Sequence, residues 1–182
     1  MAAAQETAPT ARAAPMLHQV QQPAQQTVPL RPINQPPGTV EDNLGLRSGL
    51  VCGGGSSVSS VATRPTTQCG ALIGLGYFEL EAGVMGPQAN RSDVSGYLST
   101  NAWVPLRLHS THGSPVVTGG YTRMFETGHA LDYGLGYVHP IGPAGDLRYI
   151  EIEARDYWTF ANPNQRNLVL RVAWIFGGGD TE

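Results

Sequence analysis

The chain has 182 residues and a formal net charge of −3, with no lysine and eleven arginines dispersed from Arg12 to Arg171. Polyanion binders cluster their cations, so this dispersal excludes nucleic acid as a partner. No stretch approaches the ~18 apolar residues of a spanning helix, and no charged-then-apolar secretory signal opens the sequence. Ala2 and Ala4 stand at the small positions of a signal cleavage site, which fits a longer signal upstream; an ordinary Ala-rich start fits equally well.

Composition divides the chain. All fourteen aromatic residues lie at or after Tyr77, while seven of the fourteen prolines lie at or before Pro37. A segment without aromatics buries too little apolar area to offset its ordering entropy. Residues 1–43, rich in Pro, Gln, Ala and Thr, therefore read as a disordered leader. Residues 44–68 are rich in Gly and Ser. Leu44, Leu46 and Leu50 hint at one weak strand there, and residues 57–63 at another. Cys52 and Cys69 are a candidate disulfide, which fits an oxidising compartment. The stretch Ser48-Gly-Leu-Val-Cys52 matches a lipoprotein acylation site poorly.

From Ala71 onward the hydrophobic period is two, the mark of strands. In residues 77–85, Phe78, Leu80, Ala82 and Val84 share one face and Glu79, Glu81 and Gly83 the other. Residues 95–106 set Leu98, Ala102, Val104 and Leu106 against Ser99 and Asn101, with Trp103 on the polar side. Residues 116–125 follow, and residues 131–138 place Leu131, Tyr133, Leu135 and Tyr137 opposite Asp132, Gly134 and Gly136. Residues 148–158 alternate Ile150, Ile152 and Ala154 with Glu151, Glu153 and Arg155. Residues 167–176 carry Leu168, Leu170, Val172, Trp174 and Phe176 on one side. Turn-rich connectors, such as Glu126-Thr-Gly128, separate these runs. The expected fold is an all-β, up-and-down antiparallel barrel over residues 69–177. It has six clear strands, eight if the N-terminal pair joins, with residues 178–182 as a tail.

Alternation leaves open which face is inside. A secreted or periplasmic soluble barrel would turn its apolar face inward around an apolar ligand. A membrane barrel turns it outward and fills its lumen with polar side chains. Three features favour the second. Gly83, Gly134 and Gly136, with Gly119, share the polar face, where they make room for bulky neighbours. Glu79, Glu81, Asp132, Glu151 and Glu153 share it with Arg123, Arg155 and Arg171, so a lumen charge network can form. Aromatics gather near strand ends, Phe125, Tyr157, Trp158 and Phe160 at one and Trp174 and Phe176 at the other, like interfacial girdles.

Val117-Thr-Gly-Gly-Tyr-Thr-Arg-Met-Phe125, Leu131-Asp-Tyr-Gly-Leu-Gly-Tyr137 and the strands at 148–158 and 168–176 resemble the bacterial outer-membrane protein β-barrel family, the small porin-like and opacity-type barrels. The resemblance implies an outer-membrane location, membrane lipid as partner and an eight-stranded minimum for closure. It also implies a terminal strand whose aromatic end is read in assembly. Trp174 and Phe176 match that end, though residues 177–182 run past it.

Candidate chemistry is thin. His109 and His112, with His129 or His139, have metal-compatible spacing, but a zinc site needs three or four convergent ligands. Ser110 or Ser114 with a His and Asp132 is the minimum of a lipid hydrolase, yet Asp132 is placed mid-lumen rather than in that turn, and no His-x-Ser-Asn-like arrangement is present. Glu79/Glu81 and Glu151/Glu153 are spaced like glycosidase pairs, but the interleaved arginines make salt bridges the better reading. No metal or cofactor is expected. The loop at 158–166 is the candidate contact for a surface glycan or a protein. The expectation is a non-enzymatic outer-membrane barrel with a structural, adhesive or minor-pore role; a lipid-modifying enzyme is the further alternative.

Overall fold

The computed structural model describes residues 39–89, 92–141, 148–160 and 164–177. The leader up to residue 38 and the tail at 178–182 lie outside them. Eight strands follow one another: β1 (Arg47–Ser59), β2 (Thr63–Leu75), β3 (Phe78–Gly86), β4 (Ser95–Pro105), β5 (Ser114–Met124), β6 (Gly128–Pro140), β7 (Arg148–Thr159) and β8 (Gln165–Gly177). Each pairs antiparallel with the next, and β8 pairs with β1, so the sheet is a closed up-and-down barrel with no free edge.

The register defines its shape. From Val138 on β6 the pairing runs through Glu151, Ala173, Val51, Gly70, Gly83, Tyr97 and Met124 and returns to β6 at Gly128, ten residues from its start. Eight strands with a shear of ten give a tilt of about 41° and a backbone radius of about 8 Å for standard strand spacings. Such a lumen is wide enough for side chains to fill and no wider.

The barrel begins at Arg47, not at Cys69. The Gly/Ser-rich segment supplies β1 and the first part of β2, and the weak strand expected at 57–63 is instead the end of β1 and the turn into β2. Hydropathy hides β1 because its inward positions are largely Gly49, Gly53, Gly55 and Ser57. The leader is also shorter than composition suggests. Val40 is fully buried, and the N–H groups of Val40 and Glu41 donate to Ser110 O (3.2 Å) and Leu108 O (2.8 Å). Residues 39–44, including the 3-10 turn Glu41–Leu44, thus lie across one barrel mouth. At the same end β2 and β3 are joined by Gly76-Tyr77. Gly76 has φ +58°, the positive value a two-residue hairpin needs at its first central position.

The apolar face points outward. Leu135 is 69% exposed, Leu170 60% and Phe78 75%, whereas the alternating inward residues are buried. A soluble barrel with an apolar pocket is thereby overturned, because its lining would have to be the residues that face out. Inside, two apolar clusters sit towards opposite ends. One contains Val40, Val51, Leu72, Trp103, Val116 and Tyr149; the other contains Met85, Tyr97, Met124, Ala130, Tyr157 and Val169. The charged residues lie between them.

Candidate functional site: the ionic lumen

Seven of the eight charges expected in the lumen are there: Glu79, Glu81, Asp132, Glu151, Glu153, Arg155 and Arg171, all buried. β3, β6, β7 and β8 deliver them from different sides by the same alternation that turns Leu80, Leu131, Ile152 and Leu170 outward. Arg155 and Arg171 are the hubs. Arg155 reaches Glu153 Oε2 at 3.1 Å, Glu81 Oε2 at 3.4 Å, Glu79 Oε1 at 3.7 Å and Asp132 Oδ1 at 3.9 Å. Arg171 donates through Nη1 to Glu81 Oε2 and through Nε to Glu153 Oε2, each at 2.5 Å, and lies 3.7 Å from Glu79.

Neutral donors serve four of the carboxylates. Glu81 Oε1 accepts from Tyr97 OH (2.5 Å) and Gln68 Nε2 (2.9 Å), and Gln68 also bonds Tyr157 OH (2.7 Å). Asp132 Oδ2 accepts from Thr122 (2.6 Å), Glu153 from Thr118, and Glu151 Oε2 from Trp103 Nε1 (2.8 Å). With its amide nitrogen turned to Asp132, Asn101 donates to Oδ1 at 2.8 Å and accepts from Arg155 at 2.8 Å. Buried charge is tolerated when paired and hydrogen-bonded. Every one of these carboxylates but Glu151 lies within 4 Å of an arginine, while Glu79 Oε1 accepts and Arg155 Nη2 donates no hydrogen bond among the described residues.

Arg47, at the start of β1, is an eighth member that hydropathy does not reveal. It lies 3.9 Å from Glu79, donates to Gly76 O (2.8 Å) and stacks 4.4 Å from the centroid of the Trp103 ring. Its inward position follows from β1 register, which the glycines conceal. Glycine makes room for these groups: a Cβ at Gly74 would strike the Arg47 guanidinium, and one at Gly134 would strike Glu153 and Thr118.

Arg123 does not belong to the network. It is exposed on the outer face, where Nη1 bonds His129 Nε2 while Tyr121 OH bonds Nδ1. β5 contains the consecutive pairs Val116-Val117 and Gly119-Gly120, so hydropathy gives no parity; Gly120, not Gly119, faces in against Asn101. Tyr157 likewise leaves the aromatic girdle, being fully buried in the lumen. Phe125, Trp158 and Phe160 remain exposed near one end, and Trp174 and Phe176 near the other, where Tyr77, Phe78 and Tyr137 join them.

Cys52 and Cys69 face each other across the β1–β2 pair and are disulfide-bonded on the outer wall. His109 bonds Glu41 (2.7 Å) and His139 bonds His112 O (3.0 Å) at the end opposite His129. The Ser114 hydroxyl donates to Pro115 O, far from Asp132. The loop expected at 158–166 is narrower, since β7 runs to Thr159 and β8 starts at Gln165; residues 161–163 lie outside the described ones.

No family model matches the chain, and no curated protein does. Two solved structures do. Both are de novo designed transmembrane β-barrels. One shares 16% identity over 78% of this chain and 98% of its own, with a TM-score of 0.44; the other, solved by solution NMR, shares 14% over 81% and 100%, with a TM-score of 0.43.

Proposed function

We propose that the chain is a membrane-spanning barrel of the bacterial outer membrane with a structural, non-enzymatic role, closed to solute. The observation that carries it is the largely apolar outer wall around a charged, filled lumen. Soluble monomers rarely expose apolar patches beyond a few hundred Å². At a tilt of about 41°, a twelve-residue strand rises about 30 Å, the thickness of a bilayer's hydrocarbon core. Exposed aromatics lie towards both ends of that span, as in interfacial girdles.

Structural rather than pore-forming is supported by the lumen itself. Glu81 and Arg155 have no solvent exposure, and an apolar cluster lies towards each end from them. The same packing speaks against catalysis, because the carboxylates are buried and most are bridged by arginines. The full chain, refolded with phospholipid vesicles, should float with them, migrate differently before and after boiling, and give no conductance steps in a planar bilayer. A chain that stays monomeric in plain buffer and sediments apart from vesicles refutes the membrane reading; steady conductance refutes the closed lumen.

A further inference from the structure

β1 carries little side-chain information about its register with β2. Its inward positions include Gly49, Gly53 and Gly55, and its outward face sets Gly54 opposite Thr67 and Ser56 opposite Pro65. Cross-strand pairs select a register through side chains that touch, and Gly-rich strands are prone to slip. A slip of two residues leaves every side chain on its own face, so the apolar–polar alternation does not oppose it. Arg47 does fit the observed register, lying against Gly74 and over the Trp103 ring, but Trp103 is on β4 and reaches Arg47 only once the sheet has curled round. A two-residue slip at this one seam changes the shear from ten to eight or twelve and the radius by about 0.7 Å. Glu81 and Arg171, which meet at 2.5 Å across the lumen, would then collide or part.

One bond distinguishes the registers while the sheet is still open. Cys52 and Cys69 are directly opposed and disulfide-bonded, with Cα atoms 4.1 Å apart, the close spacing of a non-hydrogen-bonded pair. A two-residue slip puts their Cα atoms about 7–8 Å apart, beyond the reach of a disulfide. Both side chains stand mid-strand on the outer wall, among Leu50, Ala71, Val84 and Val172. In a membrane that part of the wall lies against hydrocarbon, away from the charged thiols and disulfides that exchange with it in water.

We propose that the Cys52–Cys69 disulfide is a register lock set before the barrel closes, which makes closure conditional on an oxidising compartment. The two thiols give up two protons and two electrons to a disulfide-bearing oxidant. Their S–S bond forms through a mixed disulfide as the oxidant's own is reduced to two thiols. The linked hairpin then offers β8 a seam of fixed register, and insertion puts the bond out of reach of reductants confined to water. The lock itself rests on the fold; the order of events rests on the membrane reading above.

The test refolds the full chain with vesicles in three forms: oxidised, reduced, and Cys52→Ser/Cys69→Ser. Closure is read from the mobility of unboiled protein, and register from the Hα–Hα cross-peak between Gly54 and Thr67, which are opposed two residues further along. The oxidised chain should give one closed band and that cross-peak. In the other two forms the native register shares the population with its two slips, so the native band should fall about threefold. Thr67 should then also show cross-peaks to position 52 or to Ser56. Adding Gly54→Cys/Thr67→Cys to the double variant moves the lock by one outward row, where a Cβ at Gly54 meets only Thr66 O at 3.6 Å. That chain should regain the single band when oxidised and lose it when reduced. Reduced glutathione should leave the bond of the inserted native barrel intact and cleave it in the unfolded chain.

A double variant that closes as one band with the native cross-peak overturns the lock, even with a lower urea midpoint, because the turn after Ser59 then sets the register and the disulfide adds stability only. If the double variant does not close at all, the relocated pair decides: failure to close when oxidised overturns the lock. Cleavage by glutathione at equal rates in the inserted and the unfolded chain overturns the order of events. An oxidised chain that never floats overturns the membrane reading, and the same cross-peak, read in buffer, still decides the register.

Discussion

Arg155→Ala tests the ionic lumen most directly. The guanidinium is fully buried and lies within 4 Å of four carboxylates. Three of them, Glu79, Glu81 and Glu153, keep Arg171, but Asp132 loses the arginine that faces it. Removing one partner of a buried pair costs about 3–5 kcal/mol, because the abandoned charge stays desolvated. With a urea slope of about 2 kcal/mol/M, a loss near 4 kcal/mol lowers the unfolding midpoint by about 2 M. The assay is urea unfolding of the vesicle-refolded barrel, followed by gel mobility without boiling. Arg123→Ala is the control, since that arginine is exposed and should shift stability by about 0.5 kcal/mol or less. Adding Asp132→Asn to Arg155→Ala should recover part of the loss, a coupling of about 1–3 kcal/mol. An Arg155→Ala midpoint matching that of Arg123→Ala would refute the reasoning.

Gly134→Val should destabilise by about 1–3 kcal/mol, read in the same urea assay, because the new side chain enters space held by Glu153 and Thr118. Trp103→Phe removes the Nε1 donor to buried Glu151 and should cost about 1.5–3 kcal/mol. The tryptophans should also separate in fluorescence: Trp158 and Trp174 are quenched by brominated lipid, and buried Trp103 is not. Replacing Cys52 and Cys69 together by serine removes a cross-link of sequence separation 17 and should lower stability by about 3 kcal/mol, an effect that dithiothreitol reproduces in the native chain.

Much of the barrel was legible because alternation of large apolar residues marks a face wherever the opposite face is charged. β3, β6, β7 and β8 are such strands, and their glutamates and arginines landed where the pattern put them. The pattern fails where both faces are small. β1 turns Gly49, Gly53 and Gly55 inward and Gly54 and Ser56 outward, so neither its existence nor the place of Arg47 shows in hydropathy. In β5, adjacent Val116-Val117 and Gly119-Gly120 erase the parity, so hydropathy does not show that Arg123 faces outward. Tyr157 resembles a girdle residue because it stands beside Trp158, although alternation from Arg155 places it inside. The outer-face cluster in which Asp156 accepts from Tyr133 and Arg166 was invisible for a different reason. It joins three strands through register, and no local pattern encodes register.

Register also couples the charge network to closure of the barrel. Glu81 is on β3 and Arg171 on β8, ninety residues apart in sequence, yet they meet at 2.5 Å across the lumen. An open meander of β3 to β8 would hold these groups on distant strands, each still hydrated. The pairs of Glu79 and Glu81 with Arg155 and Arg171 therefore form only as β8 docks on β1, whereas Glu153–Arg171 and Asp132–Arg155 join neighbouring strands, and the cross-lumen part of the network's energy arrives in the closing step. Arg171→Gln should consequently spare sheet formation and impair closure. Far-UV circular dichroism should show strand content near that of the native chain. The shifted band of unboiled protein, which reports a closed barrel, should weaken or vanish. Equal loss of both signals would show that the arginine acts while strands form, and coupling to closure would then be the wrong account.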